Sequence, residues 1–298
     1  MRIVSLIPSA TEIVCALGAA DDLVGVTFEC DHPPDPRVGR RVLVGGLDTH
    51  GLDAAGVDHL VRSKVESGEL LYVLDEAAFR EVDPDVVLTQ DLCRVCALPS
   101  ESVDAAIDRL GCRANVLTLD PHHVADVFQN ILDVGTAIGR DDQAVALVAD
   151  LRGRVDRVAV RVAGAARRRV FVLEWPDPPF VAGHWVPELV AMAGGEAVLA
   201  RPGERSVPTT WAEIEACEPD VVVVSSCGFD VAGSAAHAEQ VMDSLPVGCE
   251  VWAIDANGLV VRPGPRLVDG VETLAELLHA VPSPDGASPL GNRARRVR

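Results

Sequence analysis

Lysine is almost missing from this chain: Lys64 stands alone among 26 basic residues, set against 45 acidic ones. The formal net charge of −19 repels polyanions, which counts against a nucleic-acid partner and fits a solvated acidic surface. Long apolar runs are missing as well, and without about 18–20 consecutive apolar residues no membrane insertion is expected. The opening Met1-Arg2-Ile3-Val4-Ser5-Leu6-Ile7 is too short for the apolar core of a secretory signal, and no lipidation cysteine stands near it. The expected address on that ground is the cytoplasm, or an exported one if a leader precedes this start. In a reducing compartment the eight scattered cysteines are expected mostly as thiols. The nucleophile elbow, the P-loop and the H-E-x-x-H pair are also absent, so a non-catalytic role is expected. Aromatic residues number only eleven in 298, so their clustering is informative.

What is present is a duplication. Asp83-Pro84-Asp85-Val86-Val87-Leu88 is echoed by Glu218-Pro219-Asp220-Val221-Val222-Val223. Each copy follows an amphipathic stretch and leads into a polar loop with cysteine, Thr89-Gln90-Asp91-Leu92-Cys93 and Ser225-Ser226-Cys227. A helix, an acidic-Pro-Asp turn and a short apolar run read as a buried parallel strand in an α/β lobe. Ligands of open α/β sheets sit beyond the carboxyl ends of such strands. The fold class expected is α/β: two lobes with mainly parallel sheets, joined by a single long helix, with a ligand cleft between them.

The chain divides into a first α/β lobe over 1–121, connecting helices over 122–167, a second lobe over 168–281 and a Pro/Gly/Ser-rich tail over 282–298 expected to be disordered. In the first lobe, Ser9 or Thr11 is expected to cap a helix over Thr11–Leu17. Apolar residues recur at helical spacing from Ala144 to Val158, and a helix of about 22 residues would be roughly 33 Å long, enough for a strut between lobes.

Candidate binding residues lie in loops at the expected carboxyl ends. The segment from Glu174 to Trp185 carries Trp175, Phe180, Trp185 and His184, with prolines that stiffen it and Gly183 to allow close backbone approach. Such a loop suits one wall of a flat apolar ligand; packing of Trp185 between helix and sheet is the competing use. Phe28-Glu29-Cys30-Asp31-His32 occupies the matching place in the first lobe, and Cys227 and Phe229 follow the second repeated strand. Ser9 lies at a helix N-terminus, where backbone amides suit an anionic group. Gln90 ends the first repeated strand. Cys93 and Cys96, three apart, can ligate metal, line a cleft, or pack as small hydrophobes, and His184 is a separate candidate metal ligand.

Arg2-Ile3-Val4-Ser5-Leu6-Ile7-Pro8-Ser9-Ala10-Thr11-Glu12, the two Pro-Asp-Val-Val strands, and Arg262-Pro263-Gly264-Pro265-Arg266-Leu267-Val268-Asp269-Gly270 together resemble the class III periplasmic-binding-protein family of vitamin B12 and ferric-chelate receptors, over about residues 2–281. The likeness is strongest to its cobalamin-binding members. It implies a macrocyclic small-molecule ligand, cobalamin or a related corrinoid, with another tetrapyrrole or a ferric chelate as alternatives. From the cysteines comes a different alternative, an intracellular enzyme or sensor with zinc or an iron–sulfur centre on Cys93 and Cys96. The cysteine loop and the unadorned start depart from the exported receptors and resemble a cytosolic-looking branch, which counts against docking to a permease.

Overall fold

The computed structural model describes residues 1–47, 49, 51–91, 100–110, 113–280 and 290–298. They form two compact units, one of residues 1–121 and 125–149, the other of residues 122–124 and 150–298. The expected two-lobe α/β architecture is the one observed.

The first unit is built on β1 (Ile3–Ser5), α1 (Pro8–Ala16), β2 (Leu23–Thr27), β3 (Arg41–Gly45), α2 (Ala54–Glu66), β4 (Val73–Leu74), α3 (Glu76–Val82), β5 (Val86–Gln90), α4 (Ser100–Leu110), β6 (Asn115–Leu119) and α5 (Val124–Ala137). Its sheet has the order β4-β3-β2-β1-β5-β6, parallel except for the short edge strand β4. Val86 to Gln90 are all buried, the unbroken pattern of a strand covered on both faces. Val4, Leu43, Phe79, Val87 and Val103 pack as its core. α1 begins earlier than its polar residues suggested. Pro8 supplies the first helical position, where its missing N–H is not needed, and Ile7 is the N-cap, with no side-chain cap. Ser9 and Thr11 therefore do not cap the helix.

The helix α6 (Asp141–Val162) starts in the first unit and ends in the second. The second unit continues with β7 (Arg169–Pro176), β8 (Pro179–Val181), α7 (Val186–Met192), β9 (Glu196–Ala197), β10 (Val207–Pro208), α8 (Trp211–Ala216), β11 (Val221–Val224), α9 (Val231–Gln240), β12 (Glu250–Ile254), α10 (Ala256–Leu259), α11 (Leu267–His279) and β13 (Ala294–Arg296). Its sheet runs β10-β8-β7-β11-β12-β13, with β9 beside β7. The centre β7-β11-β12 is parallel, while β8, β10 and β13 are antiparallel additions. Phe171, Leu173, Ile214, Val222, Val224 and Val251 fill the core. Arg154 on α6 pairs with Asp269 and Glu272 on α11, and those bonds, Glu272 foremost, raise the already high pKa of its guanidinium.

Part of the tail is ordered, against expectation. Residues 290–298 return to the sheet, where β13 pairs antiparallel with β12. Arg295 pairs with Glu239 at 3.2 Å, and Arg296 lies over the Trp252 ring at 5.9 Å. The basic run thus finds acidic and aromatic partners far away in sequence, which local composition does not reveal.

The repeated motif does the same work in both units. Asp83 and Glu218 take left-handed φ values of 38° and 44°, ending the preceding helix just before proline. The Arg2 amide donates to Asp85 Oδ2 at 2.7 Å, and the Arg169 amide donates to Asp220 Oδ2 at 2.7 Å. The side chains of the same arginines return to the helix ends, Arg2 Nε to Val82 O at 2.6 Å and Arg169 Nη2 to Cys217 O at 2.7 Å. Each motif therefore sets the register of a unit's two central strands at their amino ends.

Candidate functional site

Both sheets reverse their winding order beside the first strand, between β1 and β5 and between β7 and β11. Crevices at such points, beyond the strand carboxyl ends, are where open α/β sheets take ligands. In the second unit that edge is aromatic. The proline-rich segment expected as a loop is a hairpin, with Trp175 opposite Phe180 and Pro176 opposite Pro179. Proline is tolerated there because β8 is short and its ladder is interrupted. Trp175 is half-buried and anchors its indole by donating to Asp177 O at 3.1 Å. Its ring lies 6.0 Å from Phe229, and the imidazole of His237 on α9 meets both edge-on, at 5.7 Å from Trp175 and 4.5 Å from Phe229. The His237 Nδ1 is 2.9 Å from Ser226 Oγ, and burial pushes its pKa below the ordinary histidine value. Phe229 is held by its own turn, its N–H donating to Ser226 O, and Asp230 then caps α9 through the Gly233 amide.

Neighbouring predicted residues divide between this edge and the interior. Glu174 accepts from Ser206 Oγ at 2.8 Å, and the Gly183 amide donates to the same hydroxyl. The Cys227 amide donates to the Glu174 carbonyl at 3.2 Å, so Glu174, Cys227 and Phe229 share one end of the sheet with Trp175. Gly183 serves the protein rather than a ligand: a Cβ there would come 2.4 Å from Glu204 O and Ser206 N. His184 takes φ 51° and is fixed by backbone bonds with Gly203 and Glu204. Its ring contacts His122 at 5.9 Å and Trp185 at 5.6 Å. Trp185 is not part of an open wall. It is 4% exposed and donates its indole N–H to Val260 O at 2.7 Å, a core tryptophan with a satisfied polar handle.

The first unit's edge is more enclosed. Cys30 is buried, its Sγ 3.0 Å from Thr11 Oγ1, and that hydroxyl donates in turn to Ser5 Oγ at 2.8 Å. It is a packed thiol in a polar network. Ser9 and Gln90 are also buried, at 2% and 7% exposure. Phe28 is half-buried near Tyr72, with ring centroids 6.3 Å apart, and its ring fills the space where a Cβ on Gly46 would lie. Tyr72 donates to Glu29 at 3.5 Å, while His32 stays half-exposed after Asp31.

Cys93 and Cys96 lie outside the described residues. Among the described residues, no group of three or more His, Cys, Asp or Glu side chains is placed to hold a metal ion. Sequence reasoning missed His237 and Tyr72. Only the start of α9 directly after Phe229 hinted that its first turns would face the aromatic residues.

Two α/β lobes, each reversing its strand order beside its first strand, are the build of a bilobal solute-binding protein. The comparisons agree: the profile of the periplasmic binding protein family matches residues 3–247, and the chain belongs to that family. An uncharacterised ABC transporter substrate-binding lipoprotein of Bacillus subtilis is 26% identical over 295 residues, covering 93% of this chain and 80% of the relative. A vitamin B12-binding protein of Vibrio cholerae is 25% identical over 288 residues, covering 93% and 88%. A periplasmic heme-binding protein of Pseudomonas aeruginosa shares the fold with a TM-score of 0.72 at 20% identity, covering 99% and 97%.

These findings overturn the expected cytoplasmic address and give the cytosolic-looking branch no support. Periplasmic and lipoprotein relatives point to an extracytoplasmic location. Cys30 and Cys249 are packed inside, where burial shields a thiol in any compartment. Among the described residues, no helix is long and apolar enough to cross a membrane.

Proposed function

We propose that this protein is a non-catalytic substrate-binding protein of an ABC transporter, and that its cargo is cobalamin or a closely related corrinoid. The observation that carries the reading is the half-buried Trp175–Phe229 pair at the carboxyl edge of the second unit's sheet. A corrin offers broad apolar faces ringed by polar groups, and aromatic side chains with few degrees of freedom meet such faces at low ordering cost. Withdrawing roughly 100 Å² of apolar surface from water there is worth about 2.5 kcal/mol. Glu174, Phe180 and Cys227 are proposed as further binding residues of the second unit, and Ser9, Phe28, Glu29, His32 and Gln90 as those of the first.

The vitamin B12-binding relatives support the corrinoid, and the substrate-binding lipoprotein supports a permease as the acceptor of the cargo. The acidic surface disfavours a highly anionic ferric siderophore. Titration with hydroxocobalamin, followed by calorimetry and corrin absorbance, is expected to give a saturable complex. Saturable binding of hemin alone would move the assignment to another tetrapyrrole, and binding of neither would refute the reading.

A further inference from the structure

Ser226 is 0% exposed, and among the described residues its hydroxyl has one side-chain partner, His237 Nδ1, at 2.9 Å. A buried hydroxyl carries a hydrogen that water cannot accept, and leaving such a donor unmade costs about 1–3 kcal/mol. If Nδ1 carried the ring proton, Ser226 would have to accept, and its own O–H would point at nothing. If Ser226 donates to Nδ1, both groups are satisfied and the ring proton sits on Nε2. The imidazolium form, which also needs N–H at Nδ1, is disfavoured for the same reason, and burial acts in the same direction.

The Nε2 atom has no partner among the described residues and is not among the buried polar atoms, so it reaches solvent. It does so on a ring held edge-on to Trp175 and Phe229.

We propose that His237 is a specificity-determining residue: a neutral, Ser226-locked imidazole that presents Nε2–H to an acceptor oxygen on the rim of a flat ligand seated against Trp175 and Phe229. This rests on the macrocycle reading above and sharpens it. The acceptor is an amide carbonyl or a carboxylate at the ligand's periphery. A protonated Nε2 has no lone pair for a metal, so His237 recognises the rim and does not bind the metal at the centre. The Ser226 hydroxyl is the positioning group, acting through the histidine.

Nitrogen-15 NMR of the ligand-free protein at neutral pH is expected to show His237 as the Nε2–H tautomer, and Ser226→Ala to raise the Nδ1–H fraction. Cyanocobalamin, with amide carbonyls, and hemin, with carboxylates, serve as the two probes and distinguish the acceptor. His237→Phe, which keeps an aromatic ring, is expected to weaken the bound probe about tenfold, the scale of one hydrogen bond. His237→Gln, which keeps an N–H, is expected to recover most of that loss. An Nδ1–H spectrum in the wild type, or equal affinity of wild type and His237→Phe, overturns the donor role alone. Failure of the wild type to bind either probe overturns the macrocycle reading and the donor role with it, whatever the tautomer.

Discussion

The two units treat the two ends of their central strands differently. At the amino ends they are copies: Arg2–Asp85 and Arg169–Asp220 make the same backbone clamp at the same distance, and a left-handed acidic residue before proline ends the helix in both. At the carboxyl ends they diverge. The first unit closes its edge with the buried Ser5–Thr11–Cys30 network, whereas the second leaves Trp175, Phe229 and His237 in contact at a half-open edge. The duplicated motif marks the fold, and the candidate site stands where the copies stop matching. A register clamp is needed wherever a parallel strand pair must be fixed, but a ligand needs only one surface made to its shape.

The comparison can be broken first inside the second unit, where the largest effect is expected. Trp185→Ala should destabilise the protein by about 3–5 kcal/mol in urea unfolding, as a buried aromatic with a satisfied N–H does. Trp175→Ala should change stability by less than about 1 kcal/mol yet abolish most ligand binding. The units can next be set against each other by calorimetry. Phe229→Ala is expected to weaken corrinoid binding about tenfold or more, and Phe28→Ala less than about threefold. Equal losses would mean that the first unit's edge carries as much of the ligand as the second.

The shared clamp predicts equality instead. Asp85→Ala and Asp220→Ala should each cost about 1–2 kcal/mol, the worth of a charge-assisted bond to a backbone amide. A large disparity in their unfolding midpoints would contradict a duplicated device. The smallest effect is in pH. His237 is held below its unfolded pKa of about 6.5, so the unfolded chain takes up its proton first as pH falls. Its contribution to stability is full above that value and is lost as pH drops toward the folded pKa. The melting temperature should therefore fall more steeply between about pH 7 and pH 5 in the wild type than in His237→Phe.

Much of the fold was legible because its cues were local. The Val86–Gln90 and Val221–Val224 strands declared themselves as apolar runs after an acidic-proline turn, and α6 by helical periodicity from Ala144 to Val158. What depended on partners distant in sequence was not legible. β8 and β13 exist through antiparallel pairing with β7 and β12, and nothing local separates Pro179-Phe180-Val181 from a stiff loop. The α1 cap was misjudged because Thr11 spends its hydroxyl on Ser5 instead of a backbone amide.

At the candidate site, the aromatic residues of the expected wall part company in the fold. Trp175 and Phe229 stayed at the edge, while Trp185 and Cys30 went inside for the sake of packing. His237 escaped notice because a single histidine within an alanine-rich helix has no sequence signature. Only the folded position of α9 brings it to Trp175.

Calorimetric titration of cyanocobalamin into the wild type and into a Trp175→Ala/Phe229→Ala double variant of unchanged stability tests the central claim most directly. Saturable heat in the wild type and at least a hundredfold weaker binding in the variant, about 2.7 kcal/mol, is the result predicted. Equal affinity in the two proteins would contradict it.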